Sequence, residues 1–88
     1  MIKISTIIPV FTGHENLKFV LQAINRQTLP PCEIIVVDSC LHTEVKELVE
    51  NINIEIPIHY HQENKRAFPG KARNIGVSLA KYEYIAFL

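Results

Sequence analysis

Short apolar runs alternate along this chain with stripes of helical spacing. Ile4-Ser5-Thr6-Ile7-Ile8-Pro9-Val10 is β-branched and mostly apolar, the pattern of a strand covered on both faces. Pro9 is expected to mark its end, because proline has no N–H to offer a central ladder. After a polar turn at 12–16, Leu17, Val20, Leu21 and Ile24 recur at i, i+3, i+4 and i+7, and Leu29-Pro30-Pro31 stops the helix they predict. Residues 33–38, Glu-Ile-Ile-Val-Val-Asp, form the clearest strand and close on a carboxylate. Val45, Leu48, Val49 and Ile52 repeat the helical spacing. A weaker strand is predicted over 56–62, and a polar, basic stretch over 63–70 is broken by Pro69-Gly70. A third helix follows over 71–80, with Ala72, Ile75, Gly76 and Leu79 inward, and a fourth strand over 84–88.

The order is β-α-β-α-β-α-β, without linker or internal repeat, so residues 1–88 read as one unit. Such alternation calls for a Rossmann-like α/β sandwich of three layers. Its four-stranded parallel sheet has right-handed crossovers and helices on both faces.

Composition narrows the function classes. With 48% apolar and 20% charged residues, the chain can build a core and is not of disordered type. Nine basic residues balance nine acidic ones, which argues against a nucleic-acid surface or an anionic-membrane surface. Eight of the acids are Glu and Asp38 is the only aspartate, so neither an EF-hand loop nor an internal Asp-x-Asp is present. Cys32 and Cys40 flank a predicted strand, which separates them by over about 20 Å at ~3.3 Å per residue and excludes a bridge between them. With no apolar run near the ~20 residues of a membrane span and no signal-peptide pattern, a cytoplasmic domain is expected.

In open parallel sheets ligands bind beyond the carboxyl ends of the strands. Those ends carry Pro9, Val10, Phe11 and Thr12, then Asp38 and Ser39, then the segment 65–73. A carboxylate such as Asp38 can accept from ribose hydroxyls or a base N–H at that place; its structural alternative is a turn former. Lys71 and Arg73 enter a helix after Pro69-Gly70, where backbone N–H groups, helix dipole and cationic side chains suit a phosphate or diphosphate. Lys65 and Arg66 fit a solvated loop, and His59 and His61 fit structural roles on a strand. No G-x-G-x-x-G, P-loop or G-x-S-x-G occurs, which shifts weight away from dehydrogenases, ATPases and α/β-hydrolases. Taken alone, these residues are compatible with a nucleotide binder, a non-catalytic α/β interaction or regulatory module, or a flavodoxin-like binder of a phosphorylated small molecule.

Five blocks in order then carry a resemblance: Ser5-Thr6-Ile7-Ile8-Pro9-Val10-Phe11, Gln27-Thr28-Leu29-Pro30, Glu33-Ile34-Ile35-Val36-Val37-Asp38, Gly70-Lys71-Ala72-Arg73-Asn74-Ile75-Gly76, and Glu83-Tyr84-Ile85-Ala86-Phe87-Leu88. Together they resemble the opening of a family 2 glycosyltransferase of GT-A fold. The resemblance implies sheet order 3-2-1-4 and the nucleotide-sugar-binding half of the domain. It implies that Pro9, Val10, Phe11 and Thr12 lie against the nucleobase, that Asp38 contacts uracil or ribose, and that Arg73 lies near base and diphosphate. It further implies an inverting transfer from a UDP-sugar to a saccharide or lipid acceptor, with Mg2+ or Mn2+ in the longer protein. The chain departs from the family at Ser39-Cys40-Leu41, where a second acid, glycine and serine are usual, and at Thr12, where asparagine is usual. The family's Asp-x-Asp follows the Phe-Leu of strand 4, and this chain ends at Leu88. The expectation is therefore a piece of a longer enzyme, inactive alone, peripheral to the membrane at most, and prone to form homo-oligomers through the edge of strand 4.

Overall fold

A computed structural model describes residues 2–11, 14–40, 43–63 and 69–88. Among them run β1 (Ile4–Val10), a 3-10 turn (His14–Asn16), α1 (Leu17–Asn25), β2 (Glu33–Asp38), α2 (Glu44–Asn51), β3 (Ile58–Gln62), α3 (Pro69–Leu79) and β4 (Tyr84–Phe87). The strands form one sheet of order β3-β2-β1-β4, and every pairing is parallel. This is the Rossmann-like α/β arrangement expected from the alternation of spacings.

Strand register assigns the two faces. Because side chains alternate along a strand, Ile8, Val10, Ile34 and Val36 point to one side. There they pack with Leu17, Leu21 and Ile24 of α1 and Val45 of α2. Ile7, Ile35 and Val37 point to the other side, against Ala72 of α3, with Phe11, Ile75, Leu79 and Ile85 around them. Ile34, Ile35, Val36 and Val37 are all fully buried. A central parallel strand covered on both faces therefore reads as a continuous apolar run.

The helix α3 approaches β1 closely at Gly76: a Cβ at that position would lie 2.4 Å from Cγ2 of Ile7. Below it, at the amino end of the sheet, a buried polar cluster ties the α3–β4 connection to β1 and β2. The Ser5 hydroxyl donates to Glu33 Oε2 at 2.6 Å, the Lys81 N–H donates to the same oxygen at 2.7 Å, and the Tyr82 N–H donates to Ser5 Oγ at 3.3 Å.

Several boundaries differ from expectation: α3 ends at Leu79 and β4 at Phe87, each one residue early, Ile52 caps α2 from outside it, and three others have a local cause. Pro9 does not end β1, which continues to Val10 paired with Asp38 of β2. The Ile7 carbonyl accepts from Leu88 on the β4 side, and Pro9, two residues on, turns its nitrogen to that same side. Pro9 thus stands beyond Ile7–Phe87, the last pair of the β1/β4 ladder. Second, β3 begins at Ile58 rather than at 56: Pro57 interrupts it, while the buried Ile56 still joins the α1/α2 core. Third, α3 begins at Pro69 instead of 71, since a residue without an N–H suits the first helical turn. No disulfide joins Cys32 and Cys40, as their separation across a strand required.

Candidate functional site

The carboxyl edge of the sheet is built from the ends of β1, β2 and β3 and the start of α3. Backbone ties extend the ladders past the last strand residues. Ser39 N–H donates to the Val10 carbonyl at 2.8 Å, and Glu63 N–H donates to the Asp38 carbonyl at 2.8 Å. The Cys40 thiol lies 3.0 Å from the Phe11 carbonyl, joining the turn after β2 to the end of β1. Pro9 and Phe11 are half-buried and Val10 is buried, with Val10 toward the α1/α2 layer and Phe11 toward α3. Thr12, Lys65 and Arg66 lie outside the described residues.

Asp38 is fully buried. Its Oδ1 accepts the Cys40 N–H at 2.8 Å, two residues on, which is the Asx-turn geometry. Its Oδ2 accepts the Tyr60 hydroxyl. Tyr60 pairs with Val36, so Asp38 is its diagonal neighbour on the same face, within reach of a long aromatic side chain. Burial, and then the carboxylate beside it, push the Tyr60 hydroxyl well above its ordinary range, so it stays protonated and donates. The alternation puts this pair on the α1/α2 side of the sheet. Ser39 continues the ladder on the α3 side, and its Oγ is buried without a hydrogen-bond partner among the described residues. At the end of β3, His61 Nε2 sits 2.8 Å from Glu63 Oε1, the partner that gives this strand histidine its structural role.

Lys71 and Arg73 are both exposed, on either side of the buried Ala72 in the first turns of α3. The Arg73 guanidinium lies 5.8 Å from the centroid of the Phe87 ring, a cation–π contact between α3 and the end of β4. The edge thus brings Phe11, Ser39, Lys71 and Arg73 to the α3 side. The Asp38 carboxylate points the other way, its oxygens already engaged. Ser39 stood at the strand end in the sequence reading without a role, and the contacts of Tyr60 and Cys40 with Asp38 escaped it. Tyr60 alternates with Ile58 on the inward face of β3, a spacing that marks it as inward without naming its partner. Among the described residues no cluster of three His, Cys, Asp or Glu side chains could hold a metal ion.

A Rossmann-like parallel sheet with a basic helix start at its carboxyl edge defines a class of ligand-binding α/β proteins. The family assignment is narrower: the model of Glycosyl transferase family 2 matches residues 5–88, and the chain belongs to that family. It is 28% identical over 91 residues to a poly(ribitol-phosphate) beta-N-acetylglucosaminyltransferase, TarS, of Staphylococcus aureus, covering 100% of this chain and 16% of that protein. It is 34% identical over 92 residues to the glycosyltransferase AglE of Haloferax volcanii, covering 97% of this chain and 29% of that protein. Likeness to a hyaluronan synthase of Pasteurella multocida is 29% over 87 residues, or 97% of this chain and 9% of that protein. The chain thus spans less than a third of the length of these relatives. Among the described residues no helix is long and apolar enough to cross a membrane.

Proposed function

We propose that the protein transfers a sugar, with inversion, from a nucleotide-diphospho-sugar, UDP-linked, to a saccharide or lipid acceptor, as in polysaccharide or cell-envelope glycan synthesis. These 88 residues would supply the donor-nucleotide half of the site. The family match over residues 5–88 carries this reading. The names of two relatives, a poly(ribitol-phosphate) beta-N-acetylglucosaminyltransferase and a hyaluronan synthase, support a polymeric product or acceptor. In this reading Pro9, Val10 and Phe11 flank the base, with Thr12 beside them, and the turn at Asp38 lies under it. Lys71 and Arg73 meet the diphosphate, where two exposed cations and the positive end of α3 favour an anion.

The described residues offer no metal cluster, so no step is assigned to a metal held by them. We assign Mg2+ or Mn2+ to the whole protein, outside these residues. Sugar transfer by these 88 residues alone is not expected. The reading places the protein in the cytoplasm, at the membrane surface at most. Tyr84, Phe87 and Leu88 expose apolar surface along β4, an edge of the sheet. Unprotected edges pair with other chains, so a homo-oligomer through β4 is expected, and light scattering that stays monomeric at high concentration refutes it.

The function is tested by amide-shift titration with UDP, GDP and FMN, with and without Mg2+. UDP-specific shifts at Phe11, Ser39 and Arg73 are expected. Silence with every nucleotide overturns the reading in favour of a non-catalytic interaction module.

A further inference from the structure

The Asp38 carboxylate is the polar group most completely enclosed at this edge, and its surroundings argue against direct ligand contact. It is fully buried. One oxygen holds the Cys40 N–H and the other holds the Tyr60 hydroxyl. Its side chain falls on the α1/α2 face with Val10 and Val36, while the basic start of α3 lies on the opposite face. The groups it holds are themselves tied into the edge. The Cys40 thiol meets the Phe11 carbonyl, Ser39 N–H meets Val10, and the Asp38 carbonyl receives Glu63 N–H. A carboxylate that closes the turn at residue 40 therefore sets the relative positions of the ends of β1, β2 and β3.

We propose that Asp38 is an internal brace and Tyr60 a positioning residue: the Tyr60–Asp38–Cys40 chain shapes the turn after β2, and the donor nucleotide meets that turn without touching the carboxylate. The proposal rests on the nucleotide-binding reading above and assigns this edge a division of labour. The α1/α2 side fixes the turn, and the α3 side, with the half-buried Phe11 and the exposed Lys71 and Arg73, faces the ligand. The two roles for Asp38 differ in the sign of one effect. If the carboxylate contacted the base or ribose, the Tyr60 hydroxyl would compete with the nucleotide for it, and removing that hydroxyl would leave binding unchanged or tighten it. If the carboxylate is a brace, removing the hydroxyl leaves a buried charged oxygen short of its donor, the turn loosens, and binding weakens.

Dissociation constants for UDP are measured by calorimetry on the protein at its full natural length, for wild type, Tyr60→Phe, Asp38→Asn, Asp38→Ala and the double variant Tyr60→Phe/Asp38→Ala. Asn keeps an oxygen for the Cys40 N–H and an amide N–H for the tyrosine oxygen, so it preserves the brace while removing the charge. Expected are Tyr60→Phe and Asp38→Ala each about tenfold weaker, on the scale of one lost hydrogen bond to a charged group. Asp38→Asn should stay within about threefold of wild type, and the double variant should be no worse than Asp38→Ala, since both changes break one chain of contacts. Tyr60→Phe binding as well as wild type or better, or Asp38→Asn as weak as Asp38→Ala, overturns the proposal. Hydrogen exchange without ligand gives an independent reading. Tyr60→Phe should speed exchange of the Cys40 amide about tenfold while the Ile35 amide in central β2 is unaffected. Unchanged Cys40 exchange refutes the brace. If wild type binds no nucleotide at all, the functional reading falls, and the brace is decided by the exchange result alone.

Discussion

The packing of α3 on the sheet turns on one missing methyl group. Replacing Gly76 with Ala places a Cβ 2.4 Å from Ile7 Cγ2 and 3.1 Å from both Cδ1 and Cγ1. Carbon atoms sit comfortably at about 3.5–4.0 Å, so the helix or Ile7 must move by roughly 1 Å. Ile7 has nowhere to go: it is fully buried, its β-branched side chain is stiff at χ1, and it is flanked in the ladder by Ile35 and Phe87. Overpacking of this kind costs about 1–3 kcal/mol, while Gly to Ala inside a helix returns about 1 kcal/mol of backbone propensity. An overlap this deep with a stiff neighbour belongs in the upper part of the overpacking range, about 2–3 kcal/mol, so the net expectation is a loss of about 1–2 kcal/mol, or a fall in Tm of roughly 5–15 °C for a domain of this size. Gly70 is the internal control. It lies in the first turn of the same helix, where an added Cβ would meet nothing within 4 Å. Gly70→Ala should therefore raise Tm or leave it unchanged, by at most about 1 kcal/mol. Circular-dichroism melts of the two variants give opposite signs if close approach, and not glycine flexibility, explains Gly76. Adding Ile7→Ala to Gly76→Ala should cost less than the two separate losses together, because each relieves the other. A Gly76→Ala protein melting at or above wild type refutes the reasoning.

Two further outcomes follow from the polar groups. Ser5→Ala removes a donor from the buried Glu33 carboxylate and an acceptor from Tyr82 N–H. It should lower the urea-derived stability by about 1–3 kcal/mol with an unchanged m-value, whereas Ser78→Ala, whose exposed hydroxyl only donates to the Ile75 carbonyl in its own helix, should change it by less than about 0.5 kcal/mol. The Tyr60 hydroxyl is held protonated in the fold, its ionisation raised above the ordinary value of about 10 by burial and then by Asp38. Above about pH 10 the unfolded chain releases this proton while the folded chain keeps it, so the contribution is complete below pH 10 and is lost as pH rises further. The stability gap between wild type and Tyr60→Phe, measured by urea unfolding at pH 9 and pH 11, should narrow at the higher pH; a constant gap contradicts the assignment.

Much of the architecture was legible because spacing and burial agree. The apolar runs at 4–10 and 33–38 became β1 and β2 with those bounds, and the stripe Leu17, Val20, Leu21, Ile24 became the core-facing side of α1. Local rules misplaced boundaries where a neighbour decides the outcome. Proline is excluded from a central strand only if a partner needs its N–H, and Pro9 stands beyond the last pair of the β1/β4 ladder. At 56–57 the apolar pattern continues, yet Pro57 delays the strand while Ile56 remains in the core. The cluster of Ser5, Glu33, Lys81 and Tyr82 joins positions up to 77 residues apart and has no local signature.

The same limit explains why Asp38 and Ser39 are told apart only in three dimensions. A half-exposed strand announces its faces, because polar and apolar side chains alternate. In β2 both faces are buried, so Ile34 through Val37 carry no mark of which helix each one meets. The acid at the end of such a run looks like a group offered to a ligand, and its position at the carboxyl edge strengthens that impression. The pairing of Val10 with Asp38 reverses it, since it assigns the carboxylate to the side of α1 and α2 and assigns the next residue to the side of α3. A ligand held by the start of α3 would then meet the half-buried Phe11 before it could reach Asp38, and Ser39, buried on that same side, leaves its hydroxyl without a hydrogen-bond partner among the described residues.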